Sequence, residues 1–285
     1  MSESIFNLDL LRRSEWICLA YFAYVTVLSL FITIPARRRR QLLILNVAVV
    51  IILVLLPATL GFAPRLFVSV VRDWLPAPLI LLGYYEAGLL TFPRSDRFFE
   101  QAFLRWDDIL LRWPPLRSLK ANPRLPGWLD AFLEFSYLQC YVIVPSGIAV
   151  LYLAHERRIA DSYWSVVLPA VFIAYALTPL FPAQPPRKLK EEPDARRGLS
   201  RLRRLNLWIL DRASIKVNTF PSGHVAGAVS ASLALMRPFP AAGISYMIIA
   251  IGIVLGTVRG RYHYALDAAA GVMVAVVAYL GSMLI

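Results

Sequence analysis

Residues 241–258 read AAGISYMIIAIGIVLGTV, a run without a single charged side chain, flanked by Arg237 and Arg259. About 20 mostly apolar residues match the hydrocarbon thickness of a bilayer. In lipid, a lone segment satisfies its own backbone groups only as a helix. Working outward, comparable blocks occupy Trp16–Pro35, Leu42–Leu56, Trp74–Phe92, Leu129–Leu153, Trp164–Phe181, His224–Met236 and Tyr264–Ile285. Arg37 to Arg40 stop the first of these, and Pro57 and Gly61 end the second. Ala63–Asp73 is ambiguous, because Arg65, Arg72 and Asp73 interrupt it. The expected fold is therefore an all-α integral membrane protein, a multi-spanning bundle of about 6–8 transmembrane helices.

Composition agrees. Apolar residues make up 58% and charged residues 17% of the 285 positions; an ordinary soluble domain carries about 45–50% and about 25%. The net charge of +12 would suggest nucleic acid in a soluble protein. Here the basic residues fill loops between apolar blocks, where anionic headgroups and the positive-inside bias account for them, so no nucleic-acid partner is expected. Cys18 and Cys140 lie inside apolar blocks and imply no disulfide framework. Met1–Asp9 is mildly acidic and no small-residue cleavage site follows the first block. That block reads as a retained helix rather than a signal peptide.

Between the third and fourth helices, Phe99, Phe103, Trp106, Leu110 and Trp113 recur at steps of three and four, with Arg97, Arg105, Asp108 and Arg112 mainly off that stripe. The pattern fits a helix lying in the membrane interface, or one packed on the protein's own loops. Pro114-Pro115 ends it.

Three short stretches carry chemistry. Pro185-Pro186-Arg187-Lys188 follows the fifth helix, Pro221-Ser222-Gly223-His224 opens the sixth, and Arg259-Gly260-Arg261-Tyr262-His263-Tyr264-Ala265-Leu266-Asp267 opens the eighth. Two helices separate the second stretch from the third, so all three meet on one membrane side. Ser222 is placed to cap a helix, whose N-terminus suits phosphate oxygens. Gly223 lets the backbone come close, and His224 at that rim is placed to give a proton to a leaving oxygen. Arg187 and Arg261 offer planar forks for phosphate. His263 and Asp267, four apart, share a helix face, so the carboxylate orients the imidazole as a nucleophile. Taken one at a time, these are commonly a structural pair, a turn and headgroup contacts; their order, each at a helix mouth on one side, argues for a site. Two histidines and one already engaged Asp leave too few ligands for a metal.

These motifs resemble those of the type 2 phosphatidic acid phosphatase (PAP2) superfamily. The second motif is matched in full by Pro221, Ser222, Gly223 and His224, and the third by His263 and Asp267. Departures exist: Leu180 stands where the first motif has Lys, Arg187 is followed by Lys188 rather than Pro, and Thr257 replaces an Arg in the third motif. The form Pro-Pro-Arg with Arg-x-His-Tyr-x-x-Asp looks most like the inositol phosphorylceramide synthase branch and its bacterial relatives. The resemblance implies a six-helix core beginning near Trp74, with 1–73 as additional helices and 74–285 as the catalytic membrane domain, its motifs within 182–267.

The resemblance also implies a metal-independent, cofactor-free reaction through a phosphohistidine. His263 attacks phosphorus, Asp267 orients it, and His224 protonates the departing oxygen and then activates water or an acceptor hydroxyl. Arg187, Arg261, Ser222 and Gly223 hold the phosphate, with Lys188 and Arg259 as further candidates. Expected partners are membrane lipids, a lipid phosphate or phospholipid substrate, and a lipid or inositol-type hydroxyl acceptor. The rival is a non-catalytic transporter or lipid-binding protein that keeps the phosphate cradle.

The implied location is a bacterial cell membrane. Lys and Arg number ten in 182–222 and seven in 91–128, against two in 154–162 and one in 237–240. That bias puts the motifs on the cytoplasmic side, whereas relatives often work outside. Glu86, within a membrane helix, is either functional or paired with an arginine.

Overall fold

The computed structural model describes residues 11–61, 63–92, 96–117, 119, 125–189, 200–215 and 217–284. The stretch Met1–Asp9 and part of the basic connection, 190–199, lie outside the described residues. The regular structure is helical: α1 (Arg13–Phe31), α2 (Ala36–Ala58), α3 (Arg65–Trp74), α4 (Pro76–Leu90) and α5 (Phe98–Leu110) come first. Then follow α6 (Pro114–Arg117), α7 (Gly127–Leu138), α8 (Ile143–Leu153), α9 (Ala160–Leu177) and α10 (Arg201–Ala213). The chain closes with α11 (Gly223–Met236), α12 (Pro240–Arg259) and α13 (Ala265–Ser282).

Six runs among the described residues are long and apolar enough to cross a bilayer: α1, α2, α3 with α4, α9 with its flanking turns, α12 and α13. The ambiguous stretch before residue 74 thus becomes α3, continuous in span with α4. The expected helix over Leu129–Leu153 is broken instead: α7 with its turn to Tyr141 meets α8 at 74°. Pro145 in the first turn of α8 explains the break, since its ring would clash with the carbonyl four residues back in a continuous helix. Counted as one broken span, the pair gives a seventh crossing. Helix α11 has 14 residues, about 21 Å of rise, well short of the ~30 Å hydrocarbon core. It is buried among α8, α9, α12 and α13, so its short length is hidden from lipid.

Close packing holds the bundle. The rings of Tyr21 on α1 and Phe172 on α9 stack at 4.1 Å. On α12, Gly252 and Gly256 face α7, where a Cβ on Gly256 would come within 2.7 Å of the Leu133 carbonyl. Small residues four apart let two membrane helices approach in this way. The outward side of α2 presents Ile44, Val47, Ile51 and Leu55, an apolar stripe suited to acyl chains.

The two ends of the bundle differ. At one end lie the three motif stretches and the start of α2. There Arg39 donates to the carbonyls of Ser29 and Ile32, and Arg38 to that of Leu89 while lying 4.4 Å over the Phe92 ring. The arginine run therefore sits in the first turns of α2 and caps the C-terminal carbonyls of α1 and α4.

At the other end Asp73 accepts from Arg12 at 2.7 Å and from the Tyr152 hydroxyl at 2.7 Å, with Arg157 at 3.6 Å. The Asp73 carbonyl also accepts from Trp164, and beside it Glu15 pairs with Arg72 at 2.6 Å, both buried. Removing one member of such a pair costs roughly 3–5 kcal/mol. Glu86 on α4 is fully buried, and its carboxylate oxygens have no hydrogen-bond partner among the described residues.

Helix α5 combines the two readings made from its pattern. Phe99 and Phe103 pack inward on Phe181, Phe220 and Tyr264. Phe98, Leu104, Trp106 and Ile109, with Trp113 just beyond, are exposed. The expected aromatic stripe is thus split: Asp107 takes the inward position next to Trp106, because the N-terminus of α13 needs an acceptor there. Its carboxylate accepts from the Leu266 amide at 3.1 Å.

Candidate active site

The short link from α12 to α13 carries the third motif. Its backbone folds back onto the end of α12, with the amides of Tyr262 and His263 both donating to the Thr257 carbonyl at 2.9 and 3.2 Å. Arg261 completes the turn in the left-handed region, φ 56°. Asp267, in the first turn of α13, accepts from the Tyr264 amide at 3.0 Å, half of a capping box. His263 therefore sits just outside the helix and Asp267 just inside it.

The second motif opens α11. The Phe220–Pro221 peptide is cis. The Ser222 hydroxyl accepts from the Val225 amide, the expected N-cap. The Gly223 amide donates to the Thr219 hydroxyl at 3.3 Å, and the Ser222 amide to the Asp267 carbonyl at 3.0 Å. A Cβ on Gly223 would lie 2.6 Å from the Tyr175 ring, so glycine here admits an aromatic neighbour as well as a tight turn.

The first motif joins the other two through its backbone. The Arg187 amide donates to the Arg261 carbonyl at 3.1 Å, and its guanidinium to the Tyr262 carbonyl at 3.3 Å. In return the Arg261 guanidinium donates to the Pro186 carbonyl at 3.1 Å. Just upstream, Ala183 bridges to Asn218.

A small cleft forms where the stretches meet. Arg187, His224 and His263 line it together, with Asn218, Thr219, Tyr84, Tyr137 and Tyr262. The two imidazole centroids are 5.9 Å apart and nearly perpendicular. Around His224 stand Tyr141, Tyr137 and Tyr84, at ring distances of 5.8, 6.0 and 6.4 Å. Behind His263, Nδ1 lies 3.4 Å from Asp267 Oδ2, a long contact of the kind that tightens when a site is occupied. The same carboxylate accepts from the Asn218 side-chain amide.

Burial lowers the His263 imidazole from 6.5 to about 3, helped by the Arg187 charge and opposed by a hydrogen bond to the Thr219 backbone. The ring is neutral at physiological pH, as a nucleophile must be. The other candidates lie outside the cleft lining: Ser222 and Gly223 in the turn behind His224, Arg261 turned toward Pro186, Lys188 exposed, and Arg259 half-buried at the end of α12. Among the described residues no three His, Cys, Asp or Glu side chains cluster as metal ligands would.

A family model described as the PAP2 superfamily matches residues 104–281. The chain belongs to the PAP2 superfamily. No curated protein and no solved structure gives a match. Membership supports phosphatase-type chemistry in an integral membrane helix bundle, and the match spans α5 to α13 with all three motif stretches.

Several residues that line this cleft or support its walls escaped the sequence reading. Asn218 and Thr219 stand directly before Phe220-Pro221, and that adjacency of polar groups to a motif was the available signal. Tyr84 and Tyr137 come from apolar helices distant in sequence and carried no such signal. A buried network also supports Tyr262. Glu134 on α7 accepts from the Tyr262 hydroxyl at 2.7 Å, from Arg203 at 2.8 Å and from the Asn206 side-chain amide at 2.8 Å. The Tyr262 ring stacks on Tyr137 at 4.0 Å.

Proposed function

We propose that this protein is a lipid phosphatase or phosphotransferase that works through a phosphohistidine on His263. The observation that carries the reading is the convergence of His224, His263 and Arg187 on one cleft at the end of the bundle. A neutral imidazole attacks phosphorus and the bond to the leaving oxygen breaks. Burial, with His263 and Arg187, also lowers His224, to about 3, so His224 acts as the acid by taking up a proton beside the phosphoryl anion and passing it to the leaving oxygen. Arg187 offsets the charge on the phosphoryl oxygens, and Asp267 stabilises the imidazolium through Nδ1. In the second half-reaction His224 takes a proton from water or an acceptor hydroxyl, whose oxygen displaces the histidine. A pure binder would have no use for a paired nucleophile and acid.

The substrate is a lipid phosphate or phosphodiester, because the cleft lies at one end of the membrane bundle and α10, which lines it through Leu210, exposes Leu205 and Trp208. The site end carries Arg37 to Arg40, Arg201, Arg204 and Arg212, and this bias supports a cytoplasmic orientation.

A panel of lipid phosphates and phospholipids, assayed in detergent with a chelator, tests the reading. Phosphate release marks hydrolysis, a new phospholipid marks transfer, and His263→Ala is expected to give neither. Wild-type turnover by purified, folded His263→Ala would overturn it. A reporter fused after Ile285, at the end opposite the motifs, tests the orientation.

A further inference from the structure

Helix α5 touches the third motif stretch and the residues that lead directly into the first and second, and it does so from a single face. Glu100, Phe103 and Asp107 are spaced by three and four residues, which stacks them along one side of a helix. Glu100 accepts from the Gln184 amide at 2.9 Å, immediately before Pro185-Pro186-Arg187. Phe103 stacks on Phe220, the residue that leads into Pro221-Ser222-Gly223-His224, at 4.9 Å, and meets Tyr264 edge-on at 5.3 Å. Asp107 accepts from the Leu266 amide beside Asp267.

We propose that α5 aligns the catalytic stretches, with Glu100 and Asp107 as its positioning residues; this rests on the function assigned above. Neither carboxylate lines the cleft, so each acts through the backbone it holds. Asp107 lies at the N-terminus of α13, where unsatisfied amides and the helix dipole favour an acceptor carrying negative charge. By fixing the first turn of α13 it fixes the spacing of His263 and Asp267. Glu100 is 1% exposed, and its second carboxylate oxygen has no hydrogen-bond partner among the described residues. A buried carboxylate with one backbone donor is costly unless the segment it holds must stay in place. Gln184 leads directly into Arg187, so that segment governs the phosphate-binding arginine.

The test uses the full-length protein in vesicles containing phosphatidic acid, comparing Asp107→Ala with Asp107→Asn and Glu100→Ala with Glu100→Gln. The amide variants keep an acceptor oxygen, and the alanines do not. In folded protein, each alanine is expected to lower kcat about 10- to 100-fold, as small misplacements of reacting groups do, with KM little changed. Each amide variant is expected to recover most of that loss.

Hydrogen exchange of the segment 262–268 is read in parallel and does not depend on the substrate. It is expected to quicken in Asp107→Ala and to stay protected in Asp107→Asn. Should wild type leave phosphatidic acid and other lipid phosphates untouched, the assigned function falls, and the exchange comparison still decides the role of Asp107. Full kcat or unchanged exchange in Asp107→Ala overturns the proposal. Equal losses in the alanine and amide variants overturn it as well.

Discussion

The backbone amide of Arg187 donates to the backbone carbonyl of Arg261 at 3.1 Å. The first and third motifs are therefore joined by main chain, independent of either guanidinium. The joint places the Arg187 side chain beside the cleft while the Arg261 side chain turns back to Pro186. Exchanging the two residues' roles would require the joint to break.

Arg187 is consequently expected to be far more sensitive than Arg261. Arg187→Lys keeps the charge but loses the fork that spans two oxygens. It should raise KM and lower kcat/KM by about 10- to 100-fold, the scale of one charge-assisted contact of ~1.5–3 kcal/mol. Arg261→Lys should cost less in a steady-state assay. The reverse ranking would count against the assignment of Arg187 to phosphate.

His224→Ala should reduce turnover by about 10²- to 10⁴-fold, the usual worth of a positioned general acid. With a substrate whose leaving group is a good anion, such as a nitrophenyl phosphodiester, the loss should shrink. A loss independent of leaving group would remove His224 from the acid role.

Asn218 holds the carboxylate that faces His263. Asn218→Ala should slow phosphohistidine formation in rapid-mixing experiments. Asn218→Asp should slow it more, because a second carboxylate would compete for the same buried space. Unaltered formation in both variants would mean that Asp267 is oriented by the Tyr264 amide alone.

Asp107 gives a pH signature. Burial raises its carboxyl from 3.8 to about 7, against hydrogen bonds from the Leu266 and Ala265 amides, with Asp267 and Asp108 adding to the rise. A folded-state value above the unfolded one means that this group favours folding below about pH 4. That contribution is lost as pH climbs through about 7. Asp107→Asn removes the dependence, so its Tm relative to wild type should be higher at pH 8 than at pH 4.5. The opposite order in a thermal-shift series would contradict the burial of this carboxyl.

Gly223→Ala tests the tight start of α11. A Cβ there meets the Tyr175 ring, so one or both must shift, at about 1–3 kcal/mol for overpacking. The variant should fold with a lowered Tm and lose activity beyond that loss, since His224 is the next residue. Wild-type activity would show that His224 tolerates displacement.

Much of this architecture was legible in the chain, because a bilayer permits few alternatives. An uncharged run such as 241–258 has one outcome in lipid, and the Ser222 cap follows from local spacing; His263 comes near Asp267, but from the turn before α13 rather than from a shared helix face. What was not legible depends on which helices become neighbours. Pro145 could be read as a helix breaker, but the direction of the break is fixed by the packing of α7 on α12. Arg37 to Arg40 read as a stop for one helix, whereas their side chains finish the carbonyl ends of two. Tyr84 and Tyr137 look like ordinary residues of apolar helices until folding brings them round His224.

The charged knot at the far end deserves a different weight in this light. Asp73 and Tyr84 are eleven residues apart along one helical run, and so are Trp164 and Tyr175 along another. Each run touches the Asp73 hub and, roughly 16 Å further along, carries an aromatic ring near the cleft: Tyr84 faces the imidazole of residue 224, and Tyr175 lies 5.7 Å from Tyr84. Substitutions at Arg12, Asp73 or Trp164 would therefore be felt in the aromatic wall of the cleft, although they lie at the opposite end of the bundle. Shortening the chain from its N-terminus would loosen the same moorings.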